Sequence, residues 1–235
     1  MSKKNITEET RLKENRGTGE GPGYLPWINA REISSTGVRS ILPDWIHGRM
    51  IQLLSQAERN AYLCLRWDND NMDIREQFPL MDLDETNRIA DEFGYKRVNN
   101  GRTRLTTDMM ITKKDGSHLA VSVKKDTGVL DDEEVMNRQK IEERYWGNRN
   151  IPWVLAVEGR DVNLTKAGNI YHITGFFKEE TLYGAGRKGL VKHLLANKVI
   201  TEDLTRKLDL SVLVEKYRDI LDEQEARLNT KGIIL

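Results

Sequence analysis

The spacing of apolar positions predicts a helix, three strands, a second helix and a final strand over the first two thirds of the chain. Residues 55–67 have a helical repeat, and residues 72–78 alternate in the manner of a half-buried strand. Residues 105–112 and 119–124 are rich in β-branched or apolar side chains, which favour strands. An amphipathic helix over 131–146 and a buried strand over 151–157 complete the predicted order. This order is typical of an α/β fold with a mixed sheet between helices, as in a restriction-endonuclease-like core.

The two middle strands are predicted to form a hairpin that gathers three chemically suggestive side chains. The Asp115-Gly116 pair favours a tight turn, so these strands should pair antiparallel. Because side chains alternate along a strand, Ser122 and Lys124 should point the same way, with Asp108 across from them. An acidic residue facing a polar residue and a lysine is the frame that metal-dependent nucleases use, so DNA cleavage is the leading hypothesis.

The candidate ligands at this hairpin are all oxygens. The Asp108 carboxylate, the Ser122 side chain and the Val123 carbonyl suit Mg²⁺ or Mn²⁺ rather than a metal that prefers thiolates. A bound ion would activate water and neutralise charge that develops on the phosphate, and Lys124 would orient the nucleophile or offset negative charge. The same spacing also arises by chance in charged chains, so the pattern alone leaves a non-catalytic interpretation open.

A second acidic ligand is needed, and Glu58 is the best candidate. The run Ser55-Gln56-Ala57-Glu58 also matches a capping box, with Ser55 at the N-cap and Glu58 bonding back to the backbone. Spacing alone favours the cap, although one carboxylate near a helix start can serve both roles.

A family resemblance is carried by several stretches in the same order along residues 45–160. The chain resembles TnsA, the restriction-enzyme-like endonuclease subunit of heteromeric transposases. The matching stretches are Ser55-Gln56-Ala57-Glu58, Asp73-Ile74-Arg75-Glu76-Gln77-Phe78-Pro79-Leu80, Thr107-Asp108, Val121-Ser122-Val123-Lys124, Ile141-Glu142-Glu143-Arg144-Tyr145-Trp146 and Ile151-Pro152-Trp153.

The resemblance implies a catalytic trio of Glu58, Asp108 and Lys124, with the two carboxylates as metal ligands. Ser122 stands where the family usually has a longer polar residue such as glutamine, so a water-mediated contact or the Val123 carbonyl is an alternative to direct coordination by its hydroxyl. Glu142 and Glu143 fall near another acidic position of the family, but helical spacing on a charged helix is more typical of solvated surface.

The resemblance also implies a function and partners. The expected activity is Mg²⁺- or Mn²⁺-dependent cleavage of the 5′, non-transferred strands of double-stranded DNA at transposon ends. A DDE-type transposase (TnsB) would process the 3′ ends, and an AAA+ ATPase regulator (TnsC) would control the reaction. Two alternatives stay open: a catalytically silent DNA-end or adaptor module that recruits the regulator, and a stand-alone restriction or repair nuclease.

Three regions are predicted along the chain: an N-terminal arm over 1–45, the catalytic domain over 46–160 and a helical partner-binding domain over 165–235. In the last region, residues 176–182, 188–197, 202–208 and 211–228 are predicted to be helical, with Thr201 and Ser211 as caps. The family's C-terminal module is similar to a winged helix, but little strand signal is visible here.

The balance of charged residues bears on how the protein binds DNA. The 235 residues carry 37 basic and 37 acidic side chains, which argues against coating DNA by bulk electrostatics. Local basic groups remain candidates for phosphate contacts or for simple solvated faces: Lys96, Arg97, Arg102, Arg104, Lys113, Lys114, Lys124 and Lys125.

Cys64 is the only cysteine, which excludes a disulfide within one chain. No apolar run suggests a membrane span or a signal peptide, so we expect a cytoplasmic protein that joins the nucleoid when it acts in the transposition complex.

Overall fold

A computed structural model describes residues 6–33 and 38–235. The chain divides into two compact units, Met1–Val162 and Asn163–Leu235. No helix within the described ranges is long and apolar enough to cross a bilayer.

The first unit is an α/β domain. Its helices are α1 (Glu8–Lys13), α2 (Gln56–Arg66), α3 (Leu83–Glu92) and α4 (Glu133–Gly147). Its strands are β1 (Ser40–Pro43), β2 (Met50–Leu53), β3 (Asn71–Pro79), β4 (Thr106–Lys113), β5 (His118–Lys124) and β6 (Trp153–Val157). Strands β1 and β2 form a separate hairpin, while the other four form a sheet in the order β3-β4-β5-β6.

The four-stranded sheet is mixed, as predicted. Strand β4 is antiparallel to both β3 and β5, whereas β6 is parallel to β5. Helices α3 and α4 cover one face, where Ile89 and Ile141 pack with Met110 and Ala120 of the sheet. Helix α2 contacts β3 and β5 and covers the other face. The catalytic-domain prediction therefore has the correct fold class and strand pairing.

The N-terminal segment packs on β3 instead of extending as a separate arm. The Trp27 side chain is fully buried, and its backbone N–H donates to the Gln77 carbonyl at 3.2 Å. The Tyr24 hydroxyl donates to the Glu76 carbonyl at 2.9 Å. These contacts place residues 6–33 in the same compact unit as the sheet.

The second unit is helical and has no strand between Asn163 and Leu235, all of which is described, so it has no β wing. Its helices are α5 (Leu164–Thr174), α6 (Gly186–Ala196), α7 (Leu210–Lys216) and α8 (Arg218–Thr230), with a short 3-10 helix at Glu179–Leu182.

Several predictions for this second unit were wrong in detail. Residues 202–208 are not helical, because the Asp203 carboxylate accepts from the Thr205 N–H at 2.9 Å and hydroxyl at 2.6 Å, forming a local turn. Helix α7 is capped by Asp209 rather than by Ser211, and Thr201 caps no helix. Helix α5 was missed: its apolar side is narrow, and only Ala167, Ile170 and Ile173 are buried.

Candidate active site

Glu58 lies in the first turn of α2 and combines the two roles considered from sequence. The Ser55 hydroxyl accepts from the Glu58 N–H at 3.1 Å, which makes Ser55 the N-cap. The Glu58 carboxylate accepts from the Ser55 hydroxyl and from the Leu54 N–H, both at 2.9 Å. It thus caps one residue earlier than a standard capping box, and its side chain is held buried beside the sheet.

Asp108 lies where β4 and β5 separate. Their pairing ends at Met109–Val121, and beyond it the Val123 N–H donates to the Asp108 carboxylate at 2.6 Å instead of to a backbone carbonyl. A charged acceptor makes this a strong hydrogen bond. The bond fixes the Asp108 carboxylate beside the end of β5, next to Val123 and Lys124.

Gln77 of β3 connects the two carboxylates, a contact that we did not predict. Its amide N–H donates to Glu58 at 3.1 Å, and its side chain also lowers the pKa of the neighbouring Asp108 carboxyl. The signal available in the sequence was the Glu-Gln-Phe-Pro run at the end of a predicted strand, to which no role was assigned.

Glu58 and Asp108 are buried close together, and the pKa of each is raised. Burial raises the pKa of Glu58 to about 8, and the neighbouring Asp108 adds to the increase. Burial also raises the pKa of Asp108, opposed by Lys124, the Val123 N–H and Gln77. Lys124 is the nearby cation that favours the ionised form of both carboxylates. The structure therefore brings together Glu58, Asp108 and Lys124.

Ser122 is directed into a buried network on α4. Its hydroxyl donates to Glu142 at 2.6 Å and accepts from the Trp153 indole N–H at 3.3 Å. Glu142 also accepts from the Thr107 hydroxyl at 3.2 Å and from the Gln139 amide at 3.3 Å. The Ser122 hydroxyl proton is thus already used by a carboxylate on α4.

The expectation that Glu142 is solvated surface was wrong. Its side chain is only 4% exposed, whereas Glu143 is exposed as expected. Burial raises the pKa of Glu142 to about 7, with a further contribution from Asp108. Most polar residues of α4 are not buried, so the sequence of this charged helix gave no sign that Glu142 is one of the few that are.

Two of the basic candidates for phosphate contact are already paired. Arg97 forms a two-bond ion pair with Asp91, and Arg104 pairs with Glu8 over the ring of Trp27. Within residues 6–33 and 38–235, no cluster of three or more histidine, cysteine, aspartate or glutamate side chains is arranged to hold a metal ion. A divalent ion at this site would therefore bind to the carboxylates of Glu58 and Asp108 and to oxygens that are not carboxylates, such as the Val123 carbonyl.

Comparison with known proteins gives two matches for this chain. Residues 68–158 match the family model described as TnsA-like endonuclease N terminal, a range that includes Asp108, Ser122 and Lys124 and begins after Glu58. The chain is 34% identical over 174 residues to the transposon Tn7 transposition protein TnsA of Escherichia coli. The alignment covers 72% of this chain and 63% of that relative, so the chain spans just under two thirds of the relative's length. Taken with the mixed sheet and the helical C-terminal unit, these matches support a TnsA-like protein in which residues 68–158 are similar to the TnsA-like endonuclease N-terminal domain.

Proposed function

We propose that the chain is the divalent-metal-dependent endonuclease subunit of a heteromeric transposase. Its substrate would be double-stranded DNA at transposon ends, where it would cut the 5′, non-transferred strands. The observation that carries the proposal is that Glu58, Asp108 and Lys124 lie together where strands β4 and β5 separate. Asp108 and Lys124 also fall within the range that matches the TnsA-like endonuclease model. The relative from Escherichia coli, named as a transposition protein, supports the transposition context.

The donor set fits Mg²⁺ or Mn²⁺. Glu58 and Asp108 supply carboxylate oxygens, and the Val123 carbonyl lies on the segment whose N–H fixes Asp108. Magnesium sites commonly use one or two carboxylates together with substrate phosphate and water, so a third acidic side chain is not required. The bound ion would supply a water of lowered pKa and positive charge at the reacting phosphate. Ser122 is a weaker candidate ligand, because its hydroxyl donates to Glu142.

The protein's own residues would position these groups. The Ser55 hydroxyl and Leu54 N–H hold Glu58, and the Val123 N–H holds Asp108, so neither carboxylate has to reorganise before cleavage. Lys124, which interacts electrostatically with both, would orient the attacking water or offset charge on the phosphate.

The partners follow from the division of labour in such a reaction. Cutting one strand at each end requires a second enzyme for the 3′ ends, which we propose to be a DDE-type transposase of the TnsB kind. The helical unit Asn163–Leu235 would dock the AAA+ regulator of the TnsC kind or the transposase. The balance of 37 basic and 37 acidic residues supports recruitment by a partner over bulk attraction to DNA.

The test is cleavage of end-labelled transposon-end DNA in the presence of the partner transposase, with Mg²⁺, Mn²⁺ or EDTA. We expect 5′-strand cuts that need a divalent ion and that disappear in Asp108→Ala. Asp115→Asn is the matched control, because Asp115 lies in the β4–β5 turn, where its carboxylate binds Ser117. Full activity of Asp108→Ala would overturn the site assignment. Partner-dependent assembly on DNA without any cleavage by the wild type would favour the adaptor alternative.

A further inference from the structure

Gln77 has a backbone conformation that is unusual for its place in the fold. Its φ is +49°, in the left-handed region, although it lies inside β3 and only 2% of it is exposed. Within the described ranges, the other five non-glycine residues of positive φ lie outside the β-strands: Asn15, Asn99, Asn100, Asn150 and Lys198. Such a conformation in a long side chain persists only where the surroundings fix it, and it is most often found at functional sites.

The left-handed residue interrupts the alternation of side chains along β3. In a regular strand, Glu76 and Phe78 would share one face. Here Glu76 forms an ion pair with Arg49 of the segment leading into β2, whereas Phe78 packs against Trp146 of α4. The backbone at Gln77 thus departs from a regular strand at the point where its side chain reaches the two acids.

Two contacts hold Gln77 in place. The Trp27 N–H donates to its backbone carbonyl at 3.2 Å. The Thr106 hydroxyl, on the neighbouring strand β4, donates to its side-chain oxygen at 3.2 Å. The amide nitrogen therefore faces Glu58 and Asp108. The reverse orientation would place a carbonyl oxygen against two carboxylates and leave the Thr106 hydroxyl facing an N–H group.

We propose that Gln77 is a positioning residue that bridges Glu58 and Asp108 through the two hydrogens of its amide and thereby sets their spacing for one shared divalent cation. This inference rests on the proposed metal-dependent function. Glu58 comes from α2 and Asp108 from β4; the Gln77 amide donates to Glu58 at 3.1 Å, and its side chain also favours the ionised form of Asp108.

A neutral amide suits this task better than a cation does. A lysine or arginine between the acids would neutralise them and compete with the metal ion. An amide donates one hydrogen to each carboxylate and leaves other lone pairs of the same carboxylates free. The bridge therefore reduces repulsion between the acids without occupying the place of the cation.

Two substitutions distinguish the effect of the Gln77 side-chain amide from the effect of its left-handed backbone conformation. Gln77→Met removes both donors and keeps the length of the side chain. Gln77→Gly also removes the amide but adopts a left-handed φ without strain, so it preserves the course of β3. Gln139→Met is the matched control, because Gln139 is also a buried glutamine that donates to a carboxylate, Glu142, outside the bridged pair.

The first measurement is Mn²⁺ binding by the full chain without DNA, followed by electron paramagnetic resonance. Residues that orient metal ligands typically change metal affinity by about 10- to 100-fold when replaced. We expect a loss of that size in Gln77→Met and Gln77→Gly, and less than about twofold in Gln139→Met. Folded Gln77 variants with wild-type affinity, or an equal loss in Gln139→Met, would overturn the proposal.

The second measurement needs no metal. The side-chain amide signals of Gln77, identified by their absence in Gln77→Met, should shift in Asp108→Ala and also in Glu58→Ala protein in EDTA. If the signals fail to shift in one of the two variants, Gln77 does not bridge Glu58 and Asp108. If the wild type binds no Mn²⁺, the metal-dependent function fails, and these amide signals still decide whether Gln77 joins the two acids.

Discussion

Raising the pH from 5 to 8 should destabilise the metal-free protein, and Glu58→Gln should remove much of that loss. The pKa of Glu58 is raised from its ordinary value of 4.5 to about 8 by burial and by Asp108. Between these two values the folded protein keeps a proton that the unfolded chain has released, so the folded state becomes less favoured as the pH rises.

The size of the effect follows from the two pKa values. At 1.36 kcal/mol for each pKa unit, titrating Glu58 between pH 5 and pH 8 lowers the free energy of unfolding by roughly 3 kcal/mol. Glu142, whose pKa is raised to about 7, adds a loss of the same sign in both proteins. The difference between wild type and Glu58→Gln therefore reports the titration of Glu58 together with that of the neighbouring Asp108, whose pKa is also raised. Any change in capping or packing caused by the glutamine shifts this difference by a constant amount.

The assay is urea unfolding in EDTA, followed by tryptophan fluorescence at several pH values. All five tryptophans lie within Met1–Val162, so the signal reports the unit that contains the site. At pH 8, added Mg²⁺ should restore stability to the wild type but not to Glu58→Gln, because ligand binding to the folded state alone stabilises it. Parallel stability curves for the two proteins from pH 5 to pH 8 would refute the reasoning.

Three further predictions concern Lys124, Ser122 and the second unit. Lys124→Ala should lower kcat for strand cleavage by roughly 100-fold, as the loss of a preorganised charged donor does, and Lys124→Arg should recover part of it; wild-type kcat in the alanine variant would exclude the proposed role. Ser122→Ala should lower the free energy of unfolding by about 1–3 kcal/mol, since buried Glu142 loses its shortest hydrogen bond, while cleavage falls less than in Asp108→Ala. Equal loss of cleavage in both variants would make the Ser122 hydroxyl a direct ligand. Removing 163–235 should leave the tryptophan unfolding transition unchanged while abolishing binding to the partner ATPase, and retained ATPase binding would contradict the docking assignment.

The main elements of the first unit could be predicted because their patterns are local. The repeat that starts at Ser55 gave α2 and its cap, and the Asp115-Gly116 turn gave the β4–β5 hairpin. The β1–β2 hairpin was missed because each of its strands has only four residues. Helix α3 was also missed, although it has ten residues and Asp82 as its N-cap.

The candidate site was predictable only in part. Asp108 and Lys124 follow from strand alternation and a turn, whereas Glu58 required the resemblance because a helix cap explains the same residues. Gln77 and Glu142 could not be assigned roles, since their contacts span distant parts of the chain and a left-handed backbone in a strand has no sequence pattern of its own. Burial of one glutamate on a charged helix depends on which turn faces the sheet.

The docking of Trp27 against β3 has a practical consequence for isolating the nuclease. The match to the family model begins at residue 68, and a fragment cut there would lack both Glu58 and the strand-supporting N–H of Trp27. A fragment starting at residue 46 would keep Glu58 but still lose that N–H. The smallest autonomous catalytic fragment should therefore begin ahead of Gly17, whose N–H donates to the Leu25 carbonyl and closes the N-terminal loop.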